Sequence, residues 1–558
     1  MSSGTRPPAR SARRAARLLA TCSALVASAV LSTAVPAPPA VAAPAASTAA
    51  AVAPRNDFNG DGRSDLVLFR PVRPYSGSRM PEVLASLPSG EMYLWGLDVL
   101  GESAPPDWKD LIAPGDVTGD GSSDLLGLTA TGSLRLFDTR AENDFLSSYW
   151  RGIGWQMFNK VLGPGDVTGD GLADLLARTP GGDLYLYVAT GDRTNPFAPR
   201  VRVGGGWQGY DQLVGLGDIN RDGLGDVAAR TPAGDLYLYH GTGSATAPLA
   251  LRRLHGPGWG GYTQLIGVGD YTGDGVADLL ARTTNQYRDP VLHLHRGNGS
   301  GGFLARTSGP DAGWHIGFSY AGAGGNGYHG RTDYYHRTST GQLYHHRVFD
   351  GAFVSPRLVD TPTGGTLVYA NALTEHSPGD LLRRDTSGVL YNGSTRIGPG
   401  WNMFNAIVGP GDLTGDGKGD LVARTPAGEL YLYAGNGSGA GFATRRLIGP
   451  GWQAYNRLLG GGDITGDGRA DLLARTPAGD LYLYRGTGSA SAPFQTRVRL
   501  GGGWSAFRDL VSPGDINGDG YADLLASDNE LMRVYFADRR GSLWRDSTTS
   551  SSPDVGLY

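Results

Sequence analysis

The sequence predicts an all-β fold, a β-propeller of four-stranded blades made from ten repeat units. Three observations predict it. One phrase recurs along nearly the whole chain, mostly 50 to 52 residues apart. Each copy holds four short β-prone runs, and glycine, proline and aspartate punctuate the runs. Four strands per period of about 50 residues is the signature of a propeller blade. Composition agrees: 89 Gly and 34 Pro in 558 residues, with 18% charged and 40% hydrophobic, suit a turn-rich β protein better than a helical one.

The first 42 residues stand apart. An arginine-rich start (Arg6, Arg10, Arg13, Arg14, Arg17) precedes an apolar run from Leu18 to Val35, and Ala40-Val41-Ala42 offers a small-residue cleavage site. This reads as a secretory signal over 1–42. Arg13-Arg14 raises the twin-arginine route, but its surroundings match the general secretory pattern better. Residues 43–54 read as an Ala/Pro-rich linker, and 55–558 as the repeats. No second apolar stretch reaches the ~18 residues that a membrane span needs, so the expected location is extracellular. The one cysteine, Cys22, falls inside the signal, so disulfides cannot staple the exported chain.

The repeat is clearest over residues 451–488, as G-W-x-x-Y-x-x-L-x-G-x-G-D-x-T-G-D-G-x-A-D-L-L-A-R-T-P-x-G-D-L-Y-L-Y-x-G-T-G. Eight copies have an intact aspartate loop. Two more, spanning Asp333 to Tyr344 and Asp380 to Tyr391, keep only the D-x-x-x-R-x-x-x-G-x-L-Y frame, and residues 311–398 read as degenerate. Within one copy, Leu458-Leu459, Asp471 to Arg475, Asp480 to Tyr484 and Thr496 to Leu500 are the four runs. Ala478-Gly479 suits the hairpin turn, where glycine supplies a positive φ. A lone blade buries neither face, so neighbours must stack.

The loop places oxygen side chains at positions 1, 3, 5 and 9, with glycine at 6. That is the spacing that wraps a hard cation in the EF-hand manner, where position 7 offers only its carbonyl. Position 1 is Asp57, Asp116, Asp166, Asp218, Asp270, Asp412, Asp463 and Asp515. Position 3 is Asn59, Thr118, Thr168, Asn220, Thr272, Thr414, Thr465 and Asn517. Position 5 is Asp61, Asp120, Asp170, Asp222, Asp274, Asp416, Asp467 and Asp519. Position 7 varies freely (Arg63, Ser122, Leu172, Leu224, Val276, Lys418, Arg469, Tyr521), whereas position 9 is again always aspartate: Asp65, Asp124, Asp174, Asp226, Asp278, Asp420, Asp471 and Asp523. Three unneutralised carboxylates so close together would repel. The expected cofactor is Ca2+ at about eight sites, a flexible loop with backbone ligands suiting it better than Mg2+. Thr or Asn at position 3, in place of a fourth carboxylate, weakens each site to a level that extracellular calcium tolerates.

These loops and their period resemble the FG-GAP, or VCBS, repeat family, which includes the integrin α-subunit propeller with its D-x-D-x-D-G-x-x-D loops. The resemblance covers nearly all of the chain beyond the signal. It implies a calcium-binding β-propeller that serves adhesion or ligand recognition. A second, shorter resemblance lies in G-x-G-W-x-x-[FY]-x-x-L followed by G-x-L-Y, which is similar to the blades of tachylectin-2-like lectins, five-bladed propellers that bind N-acetylated sugars between blades. On that pattern ten copies make two five-bladed rings, although no linker separates copies five and six and one large ring stays open.

Trp155, Trp207, Trp259, Trp401, Trp452 and Trp504 are candidate ligand-binding residues, set to stack on a sugar; inter-blade packing is the competing role for aromatics at blade spacing. The tyrosine pairs (Tyr185/Tyr187, Tyr237/Tyr239, Tyr431/Tyr433, Tyr482/Tyr484) share one strand face and fit a half-buried blade surface. Seven of ten histidines cluster in and beside the degenerate copy: His293, His295, His315, His329, His336, His345 and His346. Their spacing matches no helical metal motif, and drift in a degenerate blade accounts for them.

No nucleophile elbow, phosphate loop or zinc-protease motif is present, and no basic run points to nucleic acid. The expected function is therefore an extracellular recognition or adhesion module for a glycan or envelope component, rather than an enzyme. A hydrolase or lyase without a recognisable motif and a purely structural surface protein are the alternatives, since fold does not decide function.

Overall fold

The computed structural model describes most of residues 55–557. Outside it lie 1–54, 59–62, 72–78, 87–91, 97–107, 138–147, 285–289, 311–318, 325–332, 360–364, 375–378, 517–519, 552–554, 558 and some isolated positions. The expected signal and linker, Asn59, Asp61, Asn517, Asp519, His315 and His329 therefore fall outside the described residues.

The described residues form ten blades of antiparallel strands: seven separate four-stranded sheets, one five-stranded sheet, and one eight-stranded sheet in which two blades are joined by a parallel pairing of Ala370 with Gly409; the only helices among them are short 3-10 turns. We number the blades 1–10 in the order of the copies. Blade 9 shows the plan: Arg457–Gly462, Asp471–Arg475, Leu481–Tyr484 and Val498–Gly501 pair in sequence. Burial falls outward along that order. Asp471–Arg475 is buried throughout, Leu481–Tyr484 alternates buried and half-buried, and Val498–Gly501 turns to solvent. The alternation in L-Y-L-Y follows from the period of two in a strand, leucines inward and tyrosines at the blade rim.

Two exchanged strands decide how the blades close. Ser319–Tyr320 adds to Leu66–Pro71 as the innermost strand of blade 1, and Val555–Leu557 adds to Asp333–Arg337 as the innermost strand of blade 6. Blades 1–5 thus form one closed ring and blades 6–10 a second. In the first ring Leu66 of blade 1 packs among Ile266, Val268 and Leu280 of blade 5. In the second, Tyr334 and Leu557 of blade 6 pack with Val511, Leu525 and Val534 of blade 10. The two five-bladed rings replace the single large ring, and the degenerate copies six and seven are complete blades within the second ring.

Five blades leave a narrow axis, and the innermost strands meet closely there. A Cβ on Gly267 would stand 1.9 Å from the Gly215 carbonyl oxygen, and one on Gly409 would stand 2.4 Å from Ala370 Cα. At Gly267 and Gly409, three residues before the loop, glycine is thus a packing requirement, while Ala113 and Ser512 fill the same position in blades 2 and 10. Arg55 fills the axis of the first ring: its Nε donates to Ala113 O at 3.1 Å and its Nη1 to Gly215 O at 2.6 Å. Burial pulls that guanidinium down to about 9.

Candidate functional site: aspartate loops, blade boundaries and an axial cavity

Each loop wraps its chain around the first aspartate. In blade 3, Asp166 Oδ1 accepts from Gly169 N at 2.6 Å and Oδ2 from Gly171 N at 2.7 Å; Asp116, Asp270 and Asp412 repeat the pattern. The position 5 carboxylate accepts from the amide at position 7: Asp120 from Ser122 at 2.9 Å, Asp170 from Leu172 at 3.0 Å, Asp416 from Lys418 at 3.0 Å. That bond uses only backbone at position 7, which explains why its side chain varies.

Position 9 has a role that the sequence reading did not foresee. Asp174 Oδ2 accepts from Val167 N at 3.1 Å and Oδ1 from Ala189 N at 3.0 Å, so the buried carboxylate ties the loop to the strand that follows the hairpin. Asp420, Asp471 and Asp523 do the same. Asp380 of blade 7, a copy without the other loop aspartates, still accepts from Leu373 N at 3.0 Å. The constancy of position 9 is thus accounted for by backbone anchoring, and positions 1 and 5 likewise accept backbone N–H groups, so all three aspartates have a hydrogen-bonding role beside any cation.

The donor types in the loop, carboxylate, hydroxyl and amide oxygens, are those that Ca2+ takes. Oδ1 of Asp124 is buried without a hydrogen-bond partner, whereas the position 3 side chains of Thr272 and Thr465 hydrogen-bond to Asp278 and Asp471. Asp166 Oδ2, which accepts from Gly171 N, keeps a second lone pair, whereas its Oδ1 already accepts from Thr168 N and Gly169 N. Among the described residues no three carboxylate or imidazole groups already converge as a metal cage. Burial, with the neighbouring loop carboxylates adding to it, pushes Asp124 up to about 7 and Asp471 to about 8. A bound dication would reverse that shift.

The blade boundaries carry a second device, whose arginine recurs in the repeat but whose role the repeat does not reveal. The arginine ending D-L-L-A-R reaches into the next blade and caps its 3-10 turn. Arg178 Nη1 donates to Trp207 O and Tyr210 O at 3.2 and 2.7 Å; Arg424 donates to Trp452 O and Tyr455 O at 3.0 and 2.5 Å. Arg230, Arg384 and Arg475 repeat the staple. The glycine before each Trp sits at φ 88 to 94, a left-handed conformation open to glycine at no steric cost.

The six tryptophans differ from the expected sugar platform. Trp155, Trp207, Trp259, Trp401, Trp452 and Trp504 are only 4–7% exposed. Trp207 lies 4.7 Å from Tyr239, Trp452 4.7 Å from Tyr484 and Trp259 4.6 Å from His295. Their indoles fill the space between blades, where leaving them out would cost core packing. The half-buried tyrosine rims instead carry arginines: Arg252 over Tyr237 at 4.5 Å and Arg497 over Tyr482 at 4.4 Å.

An axial cavity of about 420 Å3 opens in the second ring. Its size depends on the residue six places before each loop. In the first ring that position holds Asp110 and Lys160, ion-paired at 3.0 Å and buried, and Gln212, whose Oε1 accepts from Leu265 N at 3.2 Å. Beside Lys160, Asn159 Nδ2 donates to the Asp467 carbonyl at 3.2 Å, so a loop of the second ring covers that side of the first. In the second ring the same position is Ala406, Arg457 and Asp509, which leaves the axis open.

Against this geometry, the sequence profile described as an FG-GAP-like repeat matches residues 166–229, 218–281, 412–474 and 463–526. These four stretches are FG-GAP-like repeats. Each runs from one aspartate loop into the next, so the unit joins two adjacent blades. No curated protein matches the chain. Among solved structures, an Agrocybe aegerita lectin described as recognising non-reducing terminal N-acetylglucosamine is similar at 17% identity, over 80% of this chain and 98% of that one, with a TM-score of 0.22. Saccharomyces cerevisiae Sqt1 is similar at 11% identity over 81% and 97%, with a TM-score of 0.21. The BP39L lectin of Burkholderia pseudomallei is similar at 11% over 80% and 100%, also with 0.21. Superpositions this loose carry nothing about the ligand of the FG-GAP-like chain.

The histidine-rich copy, outside the matched stretches, forms a cross-strand aromatic ladder. His346 stacks on Tyr334 at 4.4 Å and His345 on Tyr335 at 4.4 Å, on opposite faces, and His336 Nδ1 lies 2.5 Å from His346 Nε2. Burial, then the neighbouring histidines, pulls His346 down to about 4, so it is neutral at physiological pH. His295 replaces the second tyrosine of L-Y-L-Y and lies 3.0 Å from Tyr262 Oη.

Proposed function

We propose that the chain is an exported recognition module, a pair of FG-GAP-type propellers stapled by calcium that presents the axial mouth of its second ring to a glycan of the cell envelope. The observation that carries this reading is the contrast between the two rings: the axis of the first holds a buried ion pair, while the second holds a cavity of about 420 Å3 whose wall is polar and apolar in similar measure. A volume of ~300–1,000 Å3 is the usual size of a ligand site.

Calcium enters as the staple. A cation held by positions 1, 3, 5 and 9 and the position 7 carbonyl neutralises loop carboxylates that burial and mutual repulsion otherwise penalise. Binding to the folded form alone adds to folding free energy, and it takes over the role disulfides have in exported proteins. The arginine-rich leader supports export; among the described residues no helix is long and apolar enough to cross a membrane.

Screening the calcium-loaded chain against a glycan array and isolated cell-wall polymers tests the reading. Saturable retention on a saccharide, with no turnover of it, is the expected result. Release of shortened or unsaturated sugars would instead make the protein a hydrolase or lyase, and absence of binding to every polymer would leave it a structural protein.

A further inference from the structure

We infer that the axial cavity of the second ring binds a saccharide unit bearing a carboxylate, with Arg457 as the residue that selects it; this rests on the glycan reading above and gives it a site and a chemical class. The cavity has an apolar strip, including Val511, against which the C–H face of a pyranose can lie. One buried acceptor there lacks a partner: Asn371 is 7% exposed, its Nδ2 donates to Pro410 O at 3.0 Å, and its Oδ1 has no hydrogen-bond partner. A buried acceptor left open costs ~1–3 kcal/mol unless something donates to it, and a sugar hydroxyl does.

Arg457 supplies the charge. Its guanidinium is held only loosely, with Leu510 O and Asp509 Oδ1 at 3.5 and 3.6 Å, whereas Asp509 has a closer partner in Arg508 Nε at 2.8 Å. Asp509 therefore stays neutralised if Arg457 turns to a ligand. Arg384 and Arg424 also line the cavity, but their Nη1 atoms already donate to Trp401 O and Phe404 O and to Trp452 O and Tyr455 O, so Arg457 is the one of the three not held as a blade staple. A planar fork near an open cavity matches a carboxylate bidentately, which a lysine cannot do. At the equivalent place in the first ring Lys160 is already consumed by Asp110, so the selectivity belongs to the second ring.

The test is isothermal titration calorimetry on the full exported chain in calcium, using an oligogalacturonate and the neutral galactose oligomer of equal length. Binding of the acid, at least tenfold tighter than the neutral sugar, is expected. Arg457→Ala should weaken the acid at least tenfold, Arg457→Lys should restore only part of it, and Ala406→Phe should block the cavity, with thermal melts confirming that each variant folds. If the acid does not bind, or binds with unchanged affinity in Arg457→Ala and Ala406→Phe, the axial assignment is wrong. A neutral glycan that still binds in that case keeps the recognition reading alive, whereas failure of every saccharide removes both.

Discussion

Arg475 of blade 9 donates its Nη1 to the carbonyl of Trp504 in blade 10 at 3.0 Å, and to that of Phe507 at 2.7 Å. Two carbonyls of a 3-10 turn are thus satisfied by the neighbouring blade, and its Nε is held by Asn456 Oδ1 at 3.2 Å. Truncating Arg475 leaves both carbonyls in a buried boundary without a donor. Arg475→Ala should lower unfolding free energy by about 2–4 kcal/mol in urea melts, a buried charged hydrogen bond being costly to break. Arg202→Ala, whose partner Asp183 is likewise exposed, should cost less than about 1 kcal/mol.

Gly267→Ala should disrupt the first ring. The added Cβ would meet the Gly215 carbonyl at 1.9 Å, where the obstacle is backbone and cannot turn aside. The expected loss is about 3 kcal/mol, at the upper end for overpacking, read as a lower melting temperature. Gly171→Ala has open space around it but a φ of 90, so it should show only the smaller backbone penalty of about 1 kcal/mol.

Trp452→Ala should cost about 3–5 kcal/mol, since the indole is buried against Tyr455 and Tyr484. Trp452→Phe keeps most of that packing. If the tryptophans are packing groups, saccharide affinity in the folded Trp452→Phe protein should match that of the parent chain.

The aspartate loops give a pH prediction. In calcium-free protein Asp278 is raised to about 6, Asp124, Asp174 and Asp420 to about 7, and Asp471 to about 8, by burial first. The unfolded chain ionises these groups near pH 4. Between about pH 4 and 8 the folded state therefore holds more protons than the unfolded state, and stability falls as pH rises. Melts in EGTA should be higher at pH 5 than at pH 8. Calcium should flatten or reverse that slope, because the ion stabilises the ionised form; an equal slope with and without calcium would contradict the site.

Much of this was legible in the sequence. The 50-residue period and the L-Y-L-Y alternation specify blades because strand periodicity and turn chemistry are local. Even the degenerate copies were found from Asp380 and Arg384, and the structure shows why those two persist: one anchors the hairpin and the other staples the next blade. Ring number was less accessible, because closure depends on Ser319–Tyr320 pairing with Leu66–Pro71 and on Val555–Leu557 pairing with Asp333–Arg337 across more than 200 residues. The axial groups were likewise hidden. Arg55 in the first ring and Arg457 in the second belong to no repeated motif, and only the ring geometry brings them to the axis. The tryptophans misled in one respect, since an aromatic recurring in a Gly-rich phrase reads alike whether its face is covered or open.

The central claim is that calcium holds this propeller pair together, and the most direct measurement is a thermal melt of residues 43–558 with calcium and with EGTA, alongside metal analysis. About eight ions per chain, matching the eight intact loops, and a melting temperature that drops by ten degrees or more on chelation are the expected results. A metal-free protein that melts identically in both buffers would contradict the claim and leave the aspartate loops as hydrogen-bonded turns.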